Sequence, residues 1–182
     1  VLSIAGDVKT AACLAKVRQY FDRIPSQPAP APVDMTEPPQ TAEKRLTLED
    51  ALARLPRVDI VWHTPAALAP DDDALTVLAT VLSGGRSSRF YDNLVRQQQL
   101  TSGVSASAAG TRGPGLFQIG ATALPGKAIG DLEKGIYAEI EKVKAGPIAA
   151  WEIEKAINTQ KRSFVSGLGS SLQRAVLLGQ YA

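Results

Sequence analysis

The chain is poor in the residues on which compact catalytic and metal sites depend. Among 182 residues there is one cysteine, Cys13, and one histidine, His63. A single thiol excludes an intrachain disulfide framework and a cysteine-rich zinc module. A single imidazole, with no His-x-x-Glu-His or His-Glu-x-x-His, excludes a self-contained zinc site, because zinc takes several nitrogen or sulfur ligands in a tetrahedral array. A hydrolase triad would need His63 beside an activated serine, yet no Gly-x-Ser-x-Gly elbow separates a strand from a helix. Charge of one sign is also lacking. Twenty basic against eighteen acidic side chains give a net charge of +2, which argues against nucleic-acid binding. No window approaches the roughly 20 apolar residues of a membrane span, and Val1–Ala5 is too short for a secretory core.

What is present reads as alternating helices and strands. Val1–Ala5 reads as a strand turned by Gly6-Asp7 into a helix from Thr10 to Phe21, with Leu14, Val17 and Phe21 as its buried stripe and Cys13 beside it. Six prolines between Pro25 and Pro39 favour an extended surface crossing. Lys44–Leu48 reads as an edge strand. Arg57–Thr64 is a better one, since Val58, Ile60 and Trp62 alternate with Asp59, Val61 and His63. Asp71-Asp72-Asp73 stands where helix amides favour carboxylates, ahead of Leu75, Leu78 and Leu82.

Gly84-Gly85 breaks that helix, and a second starts at Ser87 or Ser88 with Phe90, Leu94 and Val95 on its apolar side. Two strands, 102–109 and 116–123, flank a glycine-rich connection and are expected to pair antiparallel, with Phe117, Ile119, Ala121 and Ala123 on one face. A long helix to Ala145 carries Ile129, Leu132, Ile136, Ile140 and Val143 as its stripe. Glu133, Glu139, Glu141 and three lysines form its solvated face. After Gly146-Pro147 comes a helix with Ile153, Ile157 and Phe164 on one side, then a break at Gly167–Ser171 and a last helix. The order predicts an α+β fold, an antiparallel sheet packed against helices. The whole length reads as one domain, and its two ends read as cuts inside a longer protein.

Gly84-Gly85-Arg86-Ser87-Ser88-Arg89 offers helix-start amides and two guanidiniums that could hold an anion; a helix break with solvated arginines is the plainer reading.

Gly6-Asp7 after the opening strand, Leu82-Ser83-Gly84-Gly85, then Ser88-Arg89-Phe90-Tyr91-Asp92-Asn93-Leu94-Val95 and Gln99-Leu100 resemble the C-terminal homologous domain of the M16, or pitrilysin-type, zinc peptidases, bacterial homologues of the mitochondrial processing peptidase among them. The resemblance implies the LuxS/processing-peptidase-like metallohydrolase fold, in domains that close around an extended peptide. It places the zinc and the catalytic glutamate in the N-terminal domain of the parent and leaves this segment with no cofactor and no catalytic residue. The implied partners are that catalytic domain, a peptide substrate, and a second subunit carrying an arginine and a tyrosine that steady the oxyanion.

At the family's arginine position stands Val95, and at its tyrosine position Ser102. Arg96 lies one residue on, turned about 100 degrees on an α-helix. Arg89, which could neutralise a carboxylate of the neighbouring domain, Arg96 and Ser102 are the substrate-binding candidates. Such a shell would belong to the zinc-bearing subunit of a two-subunit enzyme or to a structural member that lost the chemistry. Export signals on bacterial relatives make a periplasmic parent the expectation over a cytoplasmic one.

Overall fold

A computed structural model describes residues 1–181, which form two compact units. The larger, Asp34–Ile157, holds a three-stranded antiparallel sheet of β1 (Arg57–Thr64), β2 (Thr101–Ala109) and β3 (Gly115–Ala123), in the order β1-β3-β2. The strand boundaries follow the alternation in the sequence. Ile119 lies between Ile60 of β1 and Ala106 of β2.

One face of this sheet is packed and the other is open, the usual economy of an antiparallel sheet. Phe117, Ile119, Ala121 and Ala123 are buried, while Leu116 and Gln118 beside them face solvent. Against the packed face lie α2 (Asp72–Ser83), the segment that follows it, and α3 (Ile129–Ala145). Leu82, Phe90, Leu94, Leu132 and Ile136 reach essentially zero exposure there and close the core around Ile119. The fold is thus the expected α+β arrangement. Trp62 closes one end of the layer, with its ring centroid 6.2 Å from Phe117 and 6.4 Å from Tyr137.

The smaller unit comprises Val1–Val33 and the residues from Asn158 onward. It contains α1 (Thr10–Phe21), the continuation of α4 (Ala150–Gly167) and α5 (Ser171–Gln180). Ser170 caps α5, its side chain accepting from the Gln173 amide. No described residue of this unit is buried.

Several local expectations are corrected. Val1–Ala5 is not a strand, and neither is Lys44–Leu48. Apolar alternation makes a strand only where a neighbour takes up its backbone groups, and neither segment is paired in the sheet. The stripe expected on α1 is not core, since Leu14 and Phe21 are each 49% exposed. On α4 the buried face carries Glu152 and Ala156, and Ile153, Ile157 and Phe164 are exposed. Glu139, read as solvated, is 4% exposed. A charged group tolerates that position because Asn93 Nδ2 and Lys142 Nζ both donate to its Oε1, the latter at 2.6 Å.

Candidate functional site

The junction from α2 to β2 contains two consecutive departures from regular geometry. Gly84 ends α2, its amide donating to Thr80 O at 2.7 Å. No side chain fits there, since a Cβ would stand 2.4 Å from that same oxygen. Gly85 follows at φ +80, a conformation glycine adopts freely. Ser88 is buried and donates its hydroxyl to Gly85 O at 2.7 Å.

Tyr91–Gln97 is then a π-helical run rather than an α-helix. Its wider turn is seen in the Gln98 amide donating to Asn93 O, and in side-chain bonds five residues apart: Gln97 Nε2 to Asp92 Oδ2 at 2.9 Å and Gln98 Nε2 to Asn93 Oδ1 at 2.8 Å. The run closes with Gln99 at φ 51 and the Leu100 amide on Leu94 O. The angular offset of Arg96 calculated for an α-helix therefore does not apply.

Two residues later β2 carries an extra residue. Thr101 pairs with Ala123 and Val104 with Ala121, so Ser102 and Gly103 together oppose Thr122. The Thr101 hydroxyl stabilises this bulge, accepting from the Gly103 amide at 3.2 Å and lying 2.7 Å from Thr122 O. Inserted residues in helices and strands re-aim side chains and concentrate at functional positions. Here Arg96 lies in the π-helical run and Ser102 in the bulge, while Arg89 precedes both.

The three candidates are not brought together. Arg89 Nε and Nη2 donate to Glu152 Oε1 and Oε2 at 2.8 and 2.7 Å, with only 19% of the arginine side chain exposed. Its carboxylate partner is thus Glu152 of α4 in this chain. Arg96 is 70% exposed and forms an ion pair with Asp92 one turn back. Ser102 is exposed on the bulge. The anion site that Arg89 would have completed is already answered by Glu152.

Sequence reasoning missed the carboxylates and the lysine that anchor this junction. Glu152 Oε2 also accepts the Ala149 amide at 3.0 Å, the back-bond of a helix-start capping pattern, and that spacing was the available signal. Its pKa is held below the usual carboxylate range, chiefly by the Arg89 hydrogen bonds. Lys155 Nζ donates to Gly84 O at 2.7 Å and Ser87 Oγ at 2.8 Å. Among the described residues no group of three His, Cys, Asp or Glu side chains could hold a metal ion, and no helix is long and apolar enough to cross a membrane.

Comparison with known proteins gives this geometry its context. Residues 1–160 match the peptidase M16 inactive domain. The chain belongs to the peptidase M16 family. It is similar to zinc protease PqqE of Helicobacter pylori (strain ATCC 700392 / 26695), 27% identical over 184 residues, covering 100% of this chain and 41% of that protein. It thus spans about two fifths of this curated relative. The crystal structure of a protease from Helicobacter pylori superposes with a TM-score of 0.86 at 28% identity, over 97% of this chain and 43% of the other. An inactive peptidase domain from Bordetella parapertussis gives 0.64 at 29% identity, over 74% of this chain and 71% of that one. This M16 segment is an inactive domain of the family, its junction a packed connection with exposed candidates at its margin.

Proposed function

We propose that this M16 inactive domain is the non-catalytic, chamber-forming and substrate-enclosing part of a zinc-dependent endopeptidase. The observation that carries the reading is the match of residues 1–160 to the inactive domain, in a chain that aligns throughout with 41% of a zinc protease. In this proposal the metal and the proton-handling glutamate lie in an N-terminal catalytic domain, where zinc polarises the scissile carbonyl and its water. The present domain supplies a wall. Its open sheet face carries small or polar side chains along β2, Ser102, Ser105 and Ser107 among them, leaving room for an extended peptide. Arg96 and Ser102 are the exposed groups at its rim, and Arg89 holds the rim to α4.

The test is to translate the gene upstream of Val1, seeking His-x-x-Glu-His, and to assay the encoded protein for zinc-dependent peptide cleavage with and without this domain. The motif together with domain-dependent cleavage supports the enclosing role. A parent lacking it supports instead a structural family member; Val95 and Ser102 at the resemblance's arginine and tyrosine positions fit the zinc-bearing subunit of a two-subunit enzyme as well as such a member. An arginine and tyrosine pair in a neighbouring reading frame would mark a two-subunit enzyme.

A further inference from the structure

The wide turn at Tyr91–Gln97 is gripped from α3. Gly135 and Glu139 stand four residues apart on that helix, hence on one face, and both meet the π-helical run. At Gly135 the face is hollow: a Cβ there would lie 2.6 Å from Leu94 Cδ2 and 3.8 Å from Gln98 Oε1. Fully buried Leu94 fills that hollow. One turn further along α3, buried Glu139 accepts at Oε1 from Asn93 Nδ2 and, at 2.6 Å, from Lys142 Nζ. A buried carboxylate holds its donors firmly, because hydrogen bonds to an ionised acceptor are the stronger kind and a lost donor leaves the charge unsolvated.

The Asn93 side chain passes this anchorage on. With Nδ2 committed to Glu139, its Oδ1 accepts from Gln98 Nε2 at 2.8 Å, and the Gln98 amide donates to Asn93 O at 2.9 Å. Both bonds span five residues. On an α-helix the side chain and the amide meeting Asn93 would belong to Gln97, since positions four apart are neighbours there. Asp92 is less selective, taking Arg96 four residues on and Gln97 five residues on. Selection of the wide step therefore lies at Asn93, and the group that fixes Asn93 stands on α3, 46 residues away. A return to α geometry would turn Arg96 about the axis and release one residue into the bend at Gln99. It would also break the bond from the Leu100 amide to Leu94 O that leads into β2 and its bulge.

We infer that Glu139 is a positioning residue: through Asn93 it holds the wide turn in register, and so sets where Arg96 and Ser102, the exposed groups of the rim, emerge. Gly135 makes the room and Glu139 supplies the hook. Its use in a peptidase rests on the enclosing role proposed above, whereas the register itself belongs to this chain alone.

The experiment is nuclear magnetic resonance of the isotope-labelled 182-residue chain, reading the scalar coupling that a backbone hydrogen bond transmits from amide nitrogen to carbonyl carbon. In the unsubstituted chain the Gln98 nitrogen couples to the carbonyl at position 93. Glu139→Gln keeps an acceptor oxygen for Asn93 and retains that coupling. Glu139→Leu loses it, and the Gln98 nitrogen couples to the Leu94 carbonyl instead. Asn93→Ala, which leaves Glu139 paired with Lys142, makes the same change and decides the matter should Glu139→Leu fail to fold. In a Cys13→Ser background, nitroxide labels at Arg96→Cys and Lys134→Cys, both exposed positions, change their separation by several ångströms with Asn93→Ala and keep it with Glu139→Gln. Four results overturn the assignment: a Leu94 coupling in the unsubstituted chain, a position-93 coupling retained in folded Glu139→Leu or in Asn93→Ala, its loss in Glu139→Gln, or an unmoved label in Asn93→Ala. A parent without a zinc motif would end the enclosing role without touching these couplings.

Discussion

Arg89 and Glu152 meet as a two-pronged ion pair that joins the start of the π-helical segment to the first turn of α4, with Nε–Oε1 at 2.8 Å and Nη2–Oε2 at 2.7 Å. The pair is mostly shielded, at 19% and 9% side-chain exposure. Removing one partner strands the other. Arg89→Met is expected to cost about 2 kcal/mol, less than a wholly buried pair because the guanidinium keeps some water, while Arg89→Met with Glu152→Met recovers part of the loss. Urea unfolding of the single and double variants measures this.

The same pair sets a pH dependence. Arg89 lowers the Glu152 pKa in the folded chain, so its contribution is complete above the unfolded glutamate value of about 4.3 and is lost as pH falls through the lower folded value. Stability measured from neutral pH down to pH 3, roughly the acid limit of such carboxylates, should fall less steeply in Glu152→Gln than in the parent chain.

Gly135 lies in α3 under Leu94, where a Cβ would stand 2.6 Å from Leu94 Cδ2. Alanine in a helix ordinarily gains about 1 kcal/mol over glycine, but Leu94 has 0% exposure and little room to yield. Gly135→Ala is therefore expected to destabilise by about 1 kcal/mol through overpacking. Gly130→Ala in the same helix, with nothing within 4 Å of the added carbon, should stabilise by about 0.5–1 kcal/mol. Thermal melts of the two variants should move in opposite directions.

Ser83 closes one sheet edge by bonding Ala106. Ser83→Ala should cost about 1 kcal/mol and expose edge groups that invite pairing between chains. Light scattering alongside the melt would register that self-association.

Gln99 holds a left-handed φ of 51 where the π-helical run turns into β2. Gln99→Gly relieves that conformation and is expected to stabilise by about 0.5 kcal/mol, the cost of a left-handed side chain less the added freedom of the unfolded glycine. A lower midpoint in denaturant for the glycine variant would mean that the Gln99 side chain contributes a contact outweighing the strain.

The sequence by itself determined β1, β2 and β3, the helices between them and the apolar stripe of α3, because period-two and helical alternation are local records of which side chains face the core. It also placed the break at Gly84-Gly85 and the family likeness around it. Only the tertiary structure decided which expected stripes became core. The leucine of α1 and the isoleucines of α4 look no different in sequence from those of α3, yet they remain exposed, while Glu139 and Glu152 are buried. Burial of a charge depends on partners 46 and 63 residues away, Asn93 and Arg89, and no local period encodes them. The bulge at Ser102 and the unpaired edge of β1 likewise arise from how segments meet, since each depends on backbone hydrogen bonds between stretches distant in the chain; the π-helical turn is a local five-residue step that no side-chain period in the sequence records.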